Sequence, residues 1–245
     1  MKKLLFAGSI ILILGCSASE KTAQKPEMPK GVRWVTSSAE YIGSCKQIYT
    51  LAWDIVRESA QKETGAWAVV LDIDETVLNN VQYEVELFKK KANFSDETWA
   101  AWVERREATA IPGVKQFLDN VRALGKNAYV AFITNRDAPL EEATIDNLKM
   151  LGLWNEKDVI LCRRDKSDTK VLRRQEVMRG TGRCEGQPPK NIIALFGDNL
   201  KDFYAVDGDA GLQKVLGDAH DDQRWGTQFF VLPNPTYGSW ERKYK

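Results

Sequence analysis

Asp72 and Asp74 stand two residues apart directly after an apolar run, Ala68 to Leu71, inside the stretch WAVVLDIDETVLNN from Trp67 to Asn80. A short apolar run of this kind predicts a buried strand. Side chains two apart on extended backbone point the same way, so both carboxylates meet one spot. Two like charges are costly to hold together, and such pairs are kept mainly where a cation or a reaction needs them. Capping of the next helix by Asp74 or Thr76 is the plainer alternative. A second acidic pair, Asp198 and Asp202, follows the strand-like run Asn191 to Phe196. If Leu200 begins a helix, these two fall one turn apart on one side. Thr134 ends a third run, Ala128 to Ile133, and Lys170 follows a fourth, Val159 to Cys162. Aspartate oxygens suit a hard cation such as Mg²⁺. One carboxylate can attack phosphorus, and a second can protonate the leaving alcohol and then activate water. A hydroxyl and a fixed ammonium can hold phosphoryl oxygens as charge builds on them.

These residues can meet only if the strands run parallel, with their carboxyl ends on one edge. The pattern between them supports that. Tyr41, Cys45, Ile48, Tyr49, Ala52, Ile55 and Val56 share a helical face behind a possible capping box at Ser37-x-x-Glu40. Helices are also predicted from Ser95 or Asp96, after Pro112-Gly113 to about Leu124, from about Pro139 to Leu151, and up to about Met178. No strand pattern is visible from Val77 to Ala110. A last strand is expected over Gln228 to Leu232, followed by an aromatic, irregular tail from Pro233. Alternating strands and helices predict an α/β fold. The expected architecture is a Rossmann-like parallel sheet covered by helices on both faces, with a small helical cap at about 36–64 and 77–110.

The 245 residues suffice for one such domain, and with a net charge of +1 nothing in the chain suggests the basic stripe of a nucleic-acid binder. The single histidine and four widely spaced cysteines show no Cys/His zinc motif; that histidine, His220, lies far from every motif and is expected on the surface. Lys2 and Lys3 precede an apolar run to Leu14, the plan of a secretory signal over residues 1–15. Ile13-Leu14-Gly15-Cys16 resembles a bacterial lipobox, with Cys16 lipidated after cleavage; Ser17 behind it suggests the outer membrane of a Gram-negative cell. Residues 16–35 then read as a tether and 36–245 as the folded domain. Export permits disulfides, and Cys162 and Cys184 are placed to pair across the segment between them, though the sequence leaves that open.

Asp72-Ile73-Asp74-Glu75-Thr76-Val77-Leu78 and Gly197-Asp198-Asn199-Leu200-Lys201-Asp202-Phe203, with Thr134-Asn135-Arg136, Ile111-Pro112-Gly113, Asp165-Lys166-Ser167, Phe94 to Trp102 and Pro233 to Glu241, resemble the haloacid dehalogenase superfamily. Within it the chain is similar to the class C, or four-aspartate, acid phosphatases and 5′-nucleotidases, over essentially the whole mature length. The resemblance implies Asp72 as nucleophile and metal ligand. It implies Asp74 as general acid and base, binding Mg²⁺ through its main-chain carbonyl, with Asp198 as the third metal ligand. Asp202 would orient metal-bound water, and Thr134 with a lysine would clamp phosphate. Lys170 is preferred to Lys166 because it should stand in the first turn of a helix. By spacing alone Trp99 and Tyr237 read as rings that fill a core or pack the cap, but the resemblance matches them to positions whose rings stack on a nucleotide, with Asn135 also at the substrate, whereas Trp102 reads as packing.

The resemblance therefore implies a lipid-anchored, magnesium-dependent phosphomonoesterase acting on small phosphorylated substrates, nucleoside monophosphates first among them. Asn79 stands where the family usually has aspartate, with little effect expected. The loop 180–189 looks longer than usual. A dehalogenase would need neither Asp74 nor the Asp198/Asp202 pair. The alternative of another class is an inactive surface lipoprotein that keeps the fold and binds nucleotide or haem. The oligomeric state, a dimer included, is left open.

Overall fold

A computed structural model describes residues 27–206 and 208–241. The signal segment and the Cys16 site lie outside these residues. Among them, no helix is long and apolar enough to cross a membrane. In chain order the elements are α1 (Lys30–Ser37), α2 (Ala39–Ala60), β1 (Trp67–Leu71), β2 (Leu78–Asn79), α3 (Val81–Lys90), α4 (Asp96–Glu104), β3 (Thr109–Ala110), α5 (Val114–Ala123) and β4 (Ala128–Asp137). They continue with α6 (Glu141–Met150), β5 (Val159–Arg163), α7 (Lys170–Arg179), β6 (Asn191–Gly197), α8 (Leu200–Phe203), α9 (Gly208–His220) and β7 (Phe229–Val231).

The main sheet is parallel, in the order β5-β4-β1-β6-β7. All five residues of β1 are buried, and they alternate between two cores. Trp67, Val69 and Leu71 face the layer that holds Cys45, Tyr49 and Val56 of α2 and Phe117 and Leu118 of α5. Ala68 and Val70 face a smaller layer with Val177 of α7 and Phe203 of α8. The chain steps outward from β1 to β4 and β5, then returns to place β6 on the other flank of β1. The reversal falls between β1 and β6, where doubly wound sheets open a crevice at their carboxyl ends. The expected α/β fold and parallel sheet are therefore present.

Four local expectations need correction. Residues 30–35, expected in the tether, belong to α1, because Val32 and Val35 are buried against the fold. Ser37 ends that helix, so Ser38 caps α2 instead, its side chain accepting from the Tyr41 N–H at 3.0 Å. α2, expected within the cap, covers one face of the main sheet. Finally, 77–110 is not without strands. Leu78 and Asn79 pair antiparallel with Ala110 and Thr109, forming a two-rung neck from which α3 and α4 project.

The cysteines settle differently from a disulfide. Cys45, Cys162 and Cys184 are free and buried. Cys162 packs in the larger core and Cys184 in the smaller, on opposite sides of the sheet, so no bridge can join them.

Candidate active site

Asp72 continues the β1 ladder by one rung, its N–H donating to the Phe196 carbonyl at 3.0 Å. The chain then turns sharply. The N–H groups of Val77 and Leu78 both reach the Ile73 carbonyl at 2.8 Å, and Glu75 takes a left-handed φ of 56°. Such a backbone is uncommon for a side-chain-bearing residue and is held by its surroundings. Buried Glu75 accepts from the Asn80 amide at 2.9 Å and the Tyr237 hydroxyl at 2.9 Å. Burial pushes its carboxyl up to about 7.

Asp72, Asp198 and Asp202 offer oxygens that all lie within 4.8 Å of one another. Lys170, the first residue of α7, places its ammonium 2.6 Å from Asp72 Oδ1 and also against Asp202 Oδ1. Lys170 is buried while Lys166 is exposed, so Lys170 is the lysine brought to the aspartates. Asp202 uses its other oxygen on the Asn199 N–H at 2.9 Å, closing a capping box at the start of α8. Gly197 makes this approach possible: a Cβ there would collide with the Asp202 carboxylate. Burial and the neighbouring carboxylates push the Asp72 and Asp198 acids upward, against the pull of Lys170. Burial opposes the Lys170 charge, but Asp202 and Asp72 outweigh it and hold that group protonated. Three carboxylates against one ammonium leave the cluster short of positive charge. An all-oxygen donor set with that deficit fits a divalent cation.

Asp74 meets different partners. Its Oδ1 accepts from Arg136 Nε at 3.0 Å, Arg136 Nη2 at 2.8 Å and Asn80 Nδ2 at 3.0 Å. Its Oδ2 faces the Thr134 hydroxyl at 3.4 Å. Arg136 is almost wholly buried and also donates to Asn80 at 3.2 Å and Thr144 at 3.2 Å. Neither Arg136 nor Asn80 was among the expected site residues. Spacing could have found the arginine, because Thr134 and Arg136, two apart on β4, fall on one side of that strand. Asn135 lies between them on the strand and borders the cleft, its side-chain oxygen accepting from buried Arg173 at 2.7 Å. Arg173 also donates to the Thr134 main-chain oxygen, pinning the end of β4.

The strand ends floor a cleft of about 1530 Å³, lined by Asp72, Asp74, Arg136, Lys170, Asp198 and Asp202, with Trp99, Asn135 and Tyr237 also on its walls. α4 presents Trp99 because Ser95 caps it in a full capping box. The Trp99 ring lies edge-on to Tyr83 at 5.2 Å, with Arg136 at 5.7 Å from its centroid. Trp102 is buried and donates its ring N–H to Asn80 at 2.9 Å, so it packs and braces. Asn79 accepts from the Val81 N–H at 2.9 Å at the base of α3. The loop 180–189 is tied to α7 through Arg183, which reaches Glu176 at 2.7 Å and Asp168 at 3.2 Å. His220 is exposed, at the far end of α9.

Comparisons with known proteins agree with this geometry. The family model for the HAD superfamily, subfamily IIIB (acid phosphatase), matches residues 17–240. Vegetative storage protein 1 of Arabidopsis thaliana is 24% identical over 205 residues, covering 83% of this chain and 67% of that protein. The stem 31 kDa glycoprotein of Glycine max is 25% identical over 168 residues, covering 69% and 58%. The chain thus spans about two thirds or less of these plant relatives. The class C acid phosphatase from Bacillus anthracis superposes with a TM-score of 0.72 at 28% identity, covering 86% of this chain and 85% of that one. A structure of a class C acid phosphatase from Bacillus anthracis with tungstate bound gives 0.73 at the same identity and coverage.

Proposed function

The chain belongs to the HAD superfamily, subfamily IIIB, of acid phosphatases and is a phosphomonoesterase; from this premise we propose that it hydrolyses nucleoside monophosphates through an aspartyl phosphate on Asp72, with Mg²⁺ as cofactor. One observation carries the reading. Asp72, Asp198 and Asp202 converge on Lys170 at the sheet's reversal point, and Asp74 stands two residues from Asp72 on its own arginine support.

Asp72, Asp198 and the main-chain carbonyl of Asp74 would hold the cation. Bound there, Mg²⁺ supplies Lewis-acid stabilisation of charge on the phosphoryl oxygens. An Asp72 oxygen attacks phosphorus as the ester P–O bond breaks. Lys170, fixed by Asp202, offsets charge on the transferring group. Asp74 gives a proton to the departing alcohol, then takes one from the water that cleaves the acyl phosphate, so inorganic phosphate leaves and Asp72 is restored. That proton travels through Oδ2, because Oδ1 is already occupied by Arg136 and Asn80. Trp99 and Tyr237 line the cleft and offer rings on which a base would stack, a contact worth about 1–3 kcal/mol. A relative with bound tungstate, a tetrahedral oxyanion, supports a phosphate-shaped floor.

The storage names of plant relatives raise the second reading, a binding protein without turnover. The full set of acids at the cleft floor argues against it. Hydrolysis of a chromogenic phosphate ester, with and without EDTA, separates the two; no metal-dependent release would favour binding alone. A panel of nucleotides and sugar phosphates then tests the substrate class. We further propose that Cys16 anchors the enzyme in the outer membrane. Recovery of a Cys16→Ala protein in the soluble fraction is the expected result.

A further inference from the structure

Apart from the Tyr237 ring, the segment from Pro233 to Glu241 has no place in the chemistry above, yet it is tied to three parts of the floor. It leaves β7 and lies along the cleft as a strap, contributing Thr236, Tyr237, Gly238, Ser239 and Glu241 to the lining. The strap is built round Asn234. Its Oδ1 accepts from the Thr236 N–H at 3.0 Å, the Thr236 hydroxyl at 2.6 Å and the Tyr237 N–H at 3.4 Å. This is the turn an Asn side chain makes with backbone two residues ahead. These three donors fix which end of the amide is oxygen. The amide nitrogen is thereby aimed at Asp198 Oδ2, 2.7 Å away. Farther on, the Tyr237 hydroxyl donates to Glu75 at 2.9 Å and the Ser239 hydroxyl to Asn199 at 3.0 Å. α1 packs directly against the strap: a Cβ on Gly31 would run into the main-chain oxygen of Pro235.

We infer that Asn234 is a positioning residue, holding Asp198 in the orientation that receives the cation. Asp198 lies among carboxylates that repel it, so its rotamer needs a donor. A lysine or arginine could supply one, but its charge would also offset the negative charge that attracts the cation. An amide orients the carboxylate and leaves the charge intact. The partners that orient metal ligands typically matter by about 10–100-fold in metal affinity or activity.

The inference rests on Asp198 being a ligand, and the test keeps the two claims apart. Mg²⁺ is titrated calorimetrically into the wild-type protein and into Asn234→Ser, Asn234→Ala and Asp198→Asn. Serine can still accept the Thr236 N–H in a similar turn but is too short to reach Asp198. Expected results are a roughly 10–100-fold loss of Mg²⁺ affinity in both Asn234 variants, an unchanged melting midpoint for metal-free Asn234→Ser, and recovery of kcat in that variant at raised Mg²⁺. Wild-type Mg²⁺ affinity in Asn234→Ser overturns the inference, even if Asn234→Ala is weak, because the turn and not the amide would then matter. If Asp198→Asn also binds like wild type, the ligand assignment falls with it. If Asp198→Asn loses binding while Asn234→Ser does not, only the role of Asn234 is lost.

Discussion

The two carboxylates that leave β1 two residues apart end in opposite electrical surroundings. Asp74 rests on one guanidinium that is itself bonded to Asn80 and Thr144, so charge and hydrogen bonds are matched. Asp72 shares one ammonium with Asp202, with Asp198 alongside, and negative charge is left over. A matched ion pair loses stability when one partner is removed, whereas a crowded charge loses little or none. The contrast teaches that one half of the floor is a finished support and the other half is completed by a cation and a phosphoryl group.

Substitution on each side puts that contrast at risk. Asp72→Asn is expected to lower kcat on a chromogenic ester by roughly 10⁴-fold or more, without lowering the melting temperature of the metal-free protein. Near-normal rates would move the nucleophile elsewhere, and a large loss of stability would mean the cluster is better matched than its charges suggest. Arg136→Met should behave the other way in denaturant melts, losing about 3 kcal/mol because it strands a partly open Asp74 and unties Asn80. If the two variants melt alike, the contrast is gone.

Smaller effects sharpen it. Trp99→Ala removes a ring that lies against the Arg136 guanidinium. It should raise KM for a nucleoside monophosphate roughly tenfold, the scale of one lost stacking contact, and leave KM for a small ester nearly unmoved. Equal shifts for both substrates would make Trp99 a packing residue. The slightest effect concerns pH. Buried Glu75 is pushed up from 4.5 to about 7. Between those values the folded protein holds a proton that the unfolded chain has released. Stability of the metal-free protein should therefore fall as pH rises through that window, and Glu75→Gln should flatten the slope. Melting curves across pH in EDTA would read it directly.

What was legible in the chain follows from where side-chain direction is set locally. Alternation in β1 and the run of parallel strands were enough to bring positions 72, 134, 170 and 198 to one edge, because every strand end in such a sheet faces the same way. Two-residue strands such as β2 and β3 carry no readable period, so the neck of the cap was invisible. α9 went unseen because it opens on Gly208 and carries Gly211 and Gly217, and among its described residues Leu212 and Val215 are the buried apolar anchors. α1 was hidden in a Lys-, Ser- and Pro-containing stretch that reads as a linker. The pairing of Cys162 with Cys184 failed on a fact no spacing reveals, namely the side of the sheet each occupies. Asn234 lies 36 residues from Asp198 in a tail without periodicity, and only the fold brings them together.

The close passage of Gly31 under Pro235 also sets where the protein can be trimmed. A shortened version starting at residue 36 would keep every aspartate but strip the brace from beneath the tail, whereas one starting at Met28 retains it. Comparing the two would show whether the front of the chain is mere leash or part of the working enzyme.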